Sequence, residues 1–270
     1  MICAGIDAGS RTVKAAVVDV SSGVVLATAL ADQGLQQAQL ARAVYEQALA
    51  RAGVGAGQVR RIVATGYARA AVEEAHTTIT EITCHAAGVH HLMPQAVTVV
   101  EIGGQDSKLL RLDSGGGVRD FSMNDRCAAG TGRFLEALAA RLEVGLNALG
   151  ELAARGTRPA VISSTCVVFA ETEIIGLLAG GTSAADIIAG VQSAMCSRVA
   201  AMAGRNLEGP VAFTGGVAMV GGMDAALSAA LGQPVAVCPQ PQMTGAIGAA
   251  LLAGRLADGR WALERPAAAR

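Results

Sequence analysis

Two stretches of this sequence carry an acid, glycine and a lysine at one spacing. Asp7-Ala8-Gly9-Ser10-Arg11-Thr12-Val13-Lys14 follows an apolar run, and so does Glu101-Ile102-Gly103-Gly104-Gln105-Asp106-Ser107-Lys108. Glycine lets the backbone approach an oxyanion closely, and successive N–H groups can form an anion nest. Ser10, Thr12 and Lys14 add hydroxyl and ammonium donors. A carboxylate cannot touch phosphate directly, but it can hold Mg²⁺ or a water bound to it. A further turn, Thr214-Gly215-Gly216, follows another apolar run. One such turn is explained by an ordinary glycine hairpin. Two matched copies and a third turn point instead to phosphate binding beside a divalent cation. No G-x-x-x-x-G-K-[ST] occurs, and no G-x-G-x-x-G opens a helix after the first strand, which excludes a P-loop and a dinucleotide fold.

A second kind of chemistry lies close by in the chain. Cys127 precedes Ala128-Ala129-Gly130-Thr131-Gly132 and a helical pattern through Phe134, Leu135 and Leu138. Cys166 follows Ser163-Ser164-Thr165, which can cap a helix beginning near Val167 with Glu171 and Glu173 in its early turns. The positive end of a helix dipole favours negative charge, such as a metal–thiolate cluster carries. The two thiols lie 39 residues apart and form no local chelate motif. A [4Fe–4S] cluster takes about four thiolates. Should these thiols hold one, two copies of the chain must meet at it on a two-fold axis. Cys3, Cys84, Cys196 and Cys238 read as small buried hydrophobes, Cys84-His85 as part of a core helix, and His90-His91 as a solvated helix end.

These residues need a scaffold. The chain has 270 residues, enough for two domains, with 52% hydrophobic, 16% charged and only 3% aromatic side chains. The core must therefore be packed from Ala, Val, Leu and Ile. A net charge of −1 without a basic block argues against a nucleic-acid partner. No apolar run reaches the roughly 18 residues of a membrane span. The N-terminus enters a strand without a basic leader, so a cytoplasmic location is expected, where disulfides are disfavoured.

Strands are predicted at 2–8, 12–20, 23–30, 60–65, 97–102, 108–112, 118–123, 211–214 and 235–237. Helices are predicted at 35–52, with Leu35, Leu40, Val44 and Leu49 on one face, and at 79–92, 130–142, 145–154, 167–179, 184–204, 219–231 and 244–257. The acids Asp7 and Glu101 stand 94 residues apart, and each opens a meander followed by helices, the pattern of an internal duplication. The fold class is α/β, with two duplicated ribonuclease-H-like domains facing each other across a nucleotide cleft. The first spans 1–94, completed by the helix at 244–257. The second spans 95–243, and 258–270 forms a loose tail.

The turns resemble the phosphate-1, phosphate-2 and adenosine motifs of the acetate and sugar kinase, Hsp70 and actin superfamily. The strings Glu-Ile-Gly-Gly-Gln-Asp-Ser-Lys, Met-Asn-Asp-Arg-Cys127-Ala-Ala-Gly-Thr-Gly-Arg-Phe, Ile-Ser-Ser-Thr-Cys166-Val-Val-Phe-Ala-Glu171 and Thr-Gly-Gly-Val-Ala resemble, more narrowly, the activator ATPases of 2-hydroxyacyl-CoA dehydratases and the ATPase subunits of benzoyl-CoA reductases. The resemblance implies an ATP-hydrolysing homodimer with one [4Fe–4S] cluster held by Cys127 and Cys166 of both copies. Ferredoxin or flavodoxin would load an electron, which ATP hydrolysis drives on to the acyl-CoA enzyme. Asp7, Glu101 and Asp106 would serve catalysis and Mg²⁺. Gly9, Ser10, Arg11, Thr12, Val13, Lys14, Gly103, Gly104, Gln105, Gly215, Gly216 and Gln242 would contact ATP. The family usually has Asp where this chain has Glu101. The helices beginning near Gly130 and Val167 would move, with the hairpin at 108–123 as the link. A small-molecule kinase or an actin-like scaffold on the same fold would explain the turns but not the two cysteines.

Overall fold

The computed structural model describes residues 1–164, 166–204 and 207–259. Among the described residues, ten strands and eight helices fall into two compact units. One is Met1–His91 with the chain from Met243 on, and the other is Leu92–Gln242.

In the first unit, β1 (Ile2–Ala8), β2 (Thr12–Asp19) and β3 (Val24–Asp32) form an antiparallel meander. Helix α1 (Gln37–Ala52) leads to β4 (Ile62–Thr65), which lies parallel to β1, and the two-residue β5 (Thr77–Thr78) ends the sheet. The second unit repeats this plan with β6 (Thr98–Ile102), β7 (Ser107–Leu112), β8 (Val118–Asn124), β9 (Val211–Thr214) and β10 (Val235–Val237). The strand orders are β3-β2-β1-β4-β5 and β8-β7-β6-β9-β10, one order used twice.

The remaining helices are α2 (Glu81–Leu92), α3 (Gly132–Arg141), α4 (Leu149–Ala153), α5 (Val167–Ala179), α6 (Ala184–Ala203), α7 (Met223–Leu231) and α8 (Thr244–Ala257). In the first unit Ile6, Val13 and Val17 pack against Val44, Tyr45 and Leu49 of α1. Cys3 and Val63 pack on the other side with Cys84 of α2 and Leu252 of α8. In the second, Phe134 and Leu138 of α3, Ile174 of α5 and Ile187, Val191 and Met195 of α6 share a core with Val100 and Phe213.

Several boundaries differ from the pattern-based expectation. Leu35 lies outside α1 and is fully exposed, whereas Tyr45 and Ala48 join the buried face. The stretch at 145–154 divides into a 3₁₀ turn at Leu146–Ala148 and the short α4. A 3₁₀ turn at Gly216–Met219 delays α7 to Met223. His90 and His91 are partly buried rather than solvated, with the His91 ring beside Gly23. Of the expected tail, 260–270 lies outside the described residues. No described helix is long and apolar enough to cross a membrane.

Helix α8 is bound into the first unit by backbone proximity. A methyl at Gly88 of α2 would meet the Thr244 carbonyl, and one at Gly248 of α8 would meet the Cys84 carbonyl. A branched side chain there must force the helices apart. Gly248→Val is expected to lower the chemical-denaturation midpoint, at a cost of about 1–3 kcal/mol or more. An unchanged midpoint would show that the two helices do not cross so closely.

Candidate functional site

The spacing of acid and lysine has a direct structural meaning. Asp7 and Lys14 face each other across the β1–β2 ladder, and Glu101 and Lys108 across β6–β7. In the first unit the Lys14 ammonium donates to Asp7 Oδ2 at 3.0 Å. The turn between them closes through the Gly9 N–H on the Thr12 carbonyl. Gly9, Ser10, Arg11 and Thr12 are half-buried along the turn, whereas the Val13 side chain lies in the core and leaves only its backbone for a ligand.

Around Asp7 gather three groups that the sequence reading did not select. Gly66 follows β4 with φ +88°, and a methyl there would lie 2.6 Å from Asp7 Oδ1. A methyl on Gly245, at the start of α8, would lie 2.9 Å from Oδ2. Buried His85 holds that helix start through a 2.8 Å hydrogen bond between its Nδ1 and Thr244 Oγ1.

The second unit builds the same corner more tightly. Buried Lys108 donates to Glu101 Oε2 at 3.0 Å and to Asp106 Oδ2 at 2.6 Å. Burial alone would push its ammonium down, but the two carboxylates outweigh that and hold it above its ordinary value. Glu101 Oε1 and Asp106 Oδ1 are turned toward Gly103, where a methyl would lie 3.2 and 2.8 Å from them. Gly215 follows β9 with φ +91°, as Gly66 follows β4, and a methyl there would lie 2.7 Å from Glu101 Oε1. The Gly215 N–H and the Thr214 hydroxyl both donate to the Pro241 carbonyl, which brings Gln242 beside Gly216. Gly104 is half-buried and Gln105 exposed at the tip of the turn.

This donor set suits Mg²⁺ in one particular way. Among the described residues no group of three His, Cys, Asp or Glu side chains could enclose a metal. Mg²⁺ commonly takes only one or two carboxylates and completes its shell with water and phosphate oxygens. Glu101 and Asp106 offer such a share within the second unit, and Asp7 offers one carboxylate within the first.

The cysteines divide by exposure. Cys127 and Cys166 are exposed, and the other four are buried. Burial pushes the thiols of Cys84, Cys196 and Cys238 up to about 12. Cys127 precedes a 3₁₀ turn, Ala128–Gly130, that leads into α3. The Asn124 carboxamide accepts from the Cys127 N–H at 3.1 Å and donates to the Cys127 carbonyl at 2.8 Å. The first N–H groups of α3 donate to the turn after β6, Gly132 to the Gly103 carbonyl at 2.9 Å and Arg133 to the Gly104 carbonyl at 3.0 Å.

Cys166 stands directly before α5. The expected serine cap is not what organises this end, and Thr165 lies outside the described residues. Glu173 captures the preceding loop instead, accepting from the Ser163 N–H and hydroxyl and from the Ser164 N–H at 2.7–2.8 Å. Burial alone would raise the Glu173 carboxyl, but these donors outweigh it and hold it down at about 2. Arg141 and Glu171, 3.4 Å apart, tie α3 to α5, and Val168 and Phe169 are exposed beside Cys166. Two accessible thiols at helix starts fit the soft-ligand preference of iron–sulfur clusters, as half of a four-thiolate set.

Residues 4–253 match the model of the BadF/BadG/BcrA/BcrD ATPase family. The activator of lactoyl-CoA dehydratase from Anaerotignum propionicum is 43% identical over 94% of this chain and 97% of its own. The structure of component A of (R)-2-hydroxyglutaryl-CoA dehydratase from Acidaminococcus fermentans has a TM-score of 0.91 at 38% identity, covering 96% of this chain and 99% of its own. The activator of 2-hydroxyisocaproyl-CoA dehydratase from Clostridium difficile, with bound ADPNP, has a TM-score of 0.90 at 34% identity, with 100% of both chains covered. In fold alone the likeness extends to sugar kinases such as the ROK hexokinase from Thermus thermophilus, with a TM-score of 0.51 at 18% identity, covering 96% of this chain and 100% of its own. The duplicated actin, Hsp70 and sugar-kinase fold is therefore the fold of this chain.

Two outcomes follow from the charges. Lys108→Met leaves Glu101 and Asp106 buried without their cation and should destabilise the protein by about 3–5 kcal/mol in denaturant titrations; a variant as stable as wild type would show that the acids do not depend on Lys108. Glu173 has a folded value near 2 against 4.5 unfolded, so its contribution is complete above pH 4.5 and fades as pH falls toward 2. Across that window the stability difference between wild type and Glu173→Gln should shrink, and a difference independent of pH would refute the assignment.

Proposed function

The chain belongs to the BadF/BadG/BcrA/BcrD ATPase family, and from that premise we propose that it uses ATP hydrolysis to deliver a low-potential electron to a 2-hydroxyacyl-CoA dehydratase. The observation that carries this reading is the division of the cysteines. Only Cys127 and Cys166 are exposed, each begins a helical segment, and the Cys127 segment is bonded to the turn that carries Glu101 and Asp106. A small-molecule kinase has no use for that arrangement.

In this reading the backbone of Gly9–Thr12 and of Gly103–Gln105 cradles the phosphates of ATP, and Lys14 adds positive charge. Gly215, Gly216 and Gln242 border the adenosine. Asp7, Glu101 and Asp106 hold Mg²⁺ and orient the water that attacks the γ-phosphate. Glu101 is one methylene longer than the Asp usual in the family; Lys108 and the close approach of Gly215 fix where that longer side chain ends. Cys127 and Cys166 from two copies of the chain hold a [4Fe–4S] cluster, which when bound supplies one-electron storage between ferredoxin or flavodoxin and the acyl-CoA enzyme. ATP can drive this only by binding one conformation of the protein better than another. The turn at Gly103–Gly104 and the start of α3 are where that difference is felt.

Protein purified without oxygen should contain about four irons and matching sulfide per pair of chains, with an EPR signal on reduction. Cys127→Ala and Cys166→Ala should each lose the iron while still binding ATP. Anaerobic wild type without iron would overturn the electron-transfer reading. Activation of a dehydratase, set against support of benzoyl-CoA reduction, distinguishes the two acyl-CoA partners.

A further inference from the structure

The Cys127 loop is fastened at both ends to one turn. At its far end the Gly132 and Arg133 N–H groups donate to the Gly103 and Gly104 carbonyls. At its near end stands Asn124, the last residue of β8, paired in register with Ser107, the residue after Asp106. Its single carboxamide takes both the N–H and the carbonyl of Cys127.

Between the two fastenings lies Gly130, where a methyl would come within 3.2 Å of Asn124 Nδ2 and 3.6 Å of Ser107 Oγ. The Ser107 hydroxyl is buried and has no hydrogen-bond partner among the described residues. An unpartnered buried hydroxyl is costly, so a second arrangement that supplies it with a partner would be favoured. The loop is thus held in one arrangement at a point where another would relieve a local cost.

We propose that Asn124 is a positioning residue that transmits the state of the Gly103–Lys108 turn to Cys127. The inference rests on the reading that this turn meets ATP. A displacement of Asp106 and Ser107 on nucleotide binding shifts Asn124 through the β7–β8 ladder. It shifts the start of α3 through the Gly103 and Gly104 carbonyls. Cys127 lies between these two fastenings, so its backbone must respond to both. The hydrogen bonds of Asn124 make the response specific to the thiol-bearing residue rather than to the loop at large.

The test is the rate at which iodoacetamide labels Cys127 in the full chain isolated without iron, read by peptide mass, with no nucleotide, with ADP and with a non-hydrolysable ATP analogue. In wild type the ADP and analogue rates should differ. In Asn124→Ala the nucleotide-free rate should rise roughly 5- to 30-fold, the factor for losing one or two hydrogen bonds, and the ADP and analogue rates should coincide. Asn124→Asp keeps the acceptor and should restore part of the difference. Labelling of buried Cys196 and Cys238 reports unfolding; if Asn124→Ala labels them, Asn124→Asp decides the matter. An Asn124→Ala protein that keeps the wild-type difference overturns the inference. Wild type that binds nucleotide but labels Cys127 alike in both states also overturns it, while leaving the ATP reading intact. Wild type that binds no nucleotide overturns both.

Discussion

One buried cation organises the second unit. Lys108 sits between Glu101 and Asp106, with all three side chains out of solvent. Two carboxylates this close and this dry repel strongly, and desolvation adds to the cost. The lysine offsets both by binding one oxygen of each. The consequence is geometric as well as energetic. The other oxygen of each acid is directed at Gly103, which has no side chain to block it. The corner therefore presents acids to a ligand without exposing them to bulk water. Asp7 and Lys14 repeat the acid–lysine pairing in the first unit, with a partly exposed lysine.

The duplication explains why these corners recur. An antiparallel meander places an acid at the end of one strand opposite a lysine on the next, and a parallel third strand ends beside the acid in Thr-Gly. Thr65-Gly66 and Thr214-Gly215 occupy the same position in the two sheets, each with a positive-φ glycine against a carboxylate. At both positions the glycine is required, because a side chain would meet both the acid and the backbone behind it. What sets the second unit apart is what was added to its corner, a loop bearing Cys127 whose helix takes its first hydrogen bonds from the turn.

Much of this was legible in the sequence. The seven-residue interval between acid and lysine announces a cross-strand pair because the turn between them is short and the ladder regular. The exposure of Cys127 and Cys166 follows from their place in loops before apolar helical patterns. Other features depended on partners distant in the chain. Gly66 and Gly245 acquire meaning only when β4 and α8 arrive beside Asp7. Ser163 and Ser164 have the composition of a helix cap, but Glu173 competes for their donors from inside the helix and wins with three hydrogen bonds. Asn124 carried a readable signal, since an Asn three residues before another residue can bond to its backbone locally, yet only the register of β8 against β7 connects it to Ser107 and the turn.

On the proposed function, the Gly103–Lys108 turn and the cysteine loop move as one body, through the bonds from Gly132 and Arg133 to Gly103 and Gly104. Amide hydrogen exchange at Gly132 and Arg133 tests it most directly, compared between the ADP-bound protein and the protein bound to a non-hydrolysable ATP analogue. Exchange at these two amides should differ between the two nucleotides, together with that of the Cys127 amide, while amides in the core of α6 remain unchanged. Equal exchange at Gly132 and Arg133 in both states, with both nucleotides bound, would contradict it.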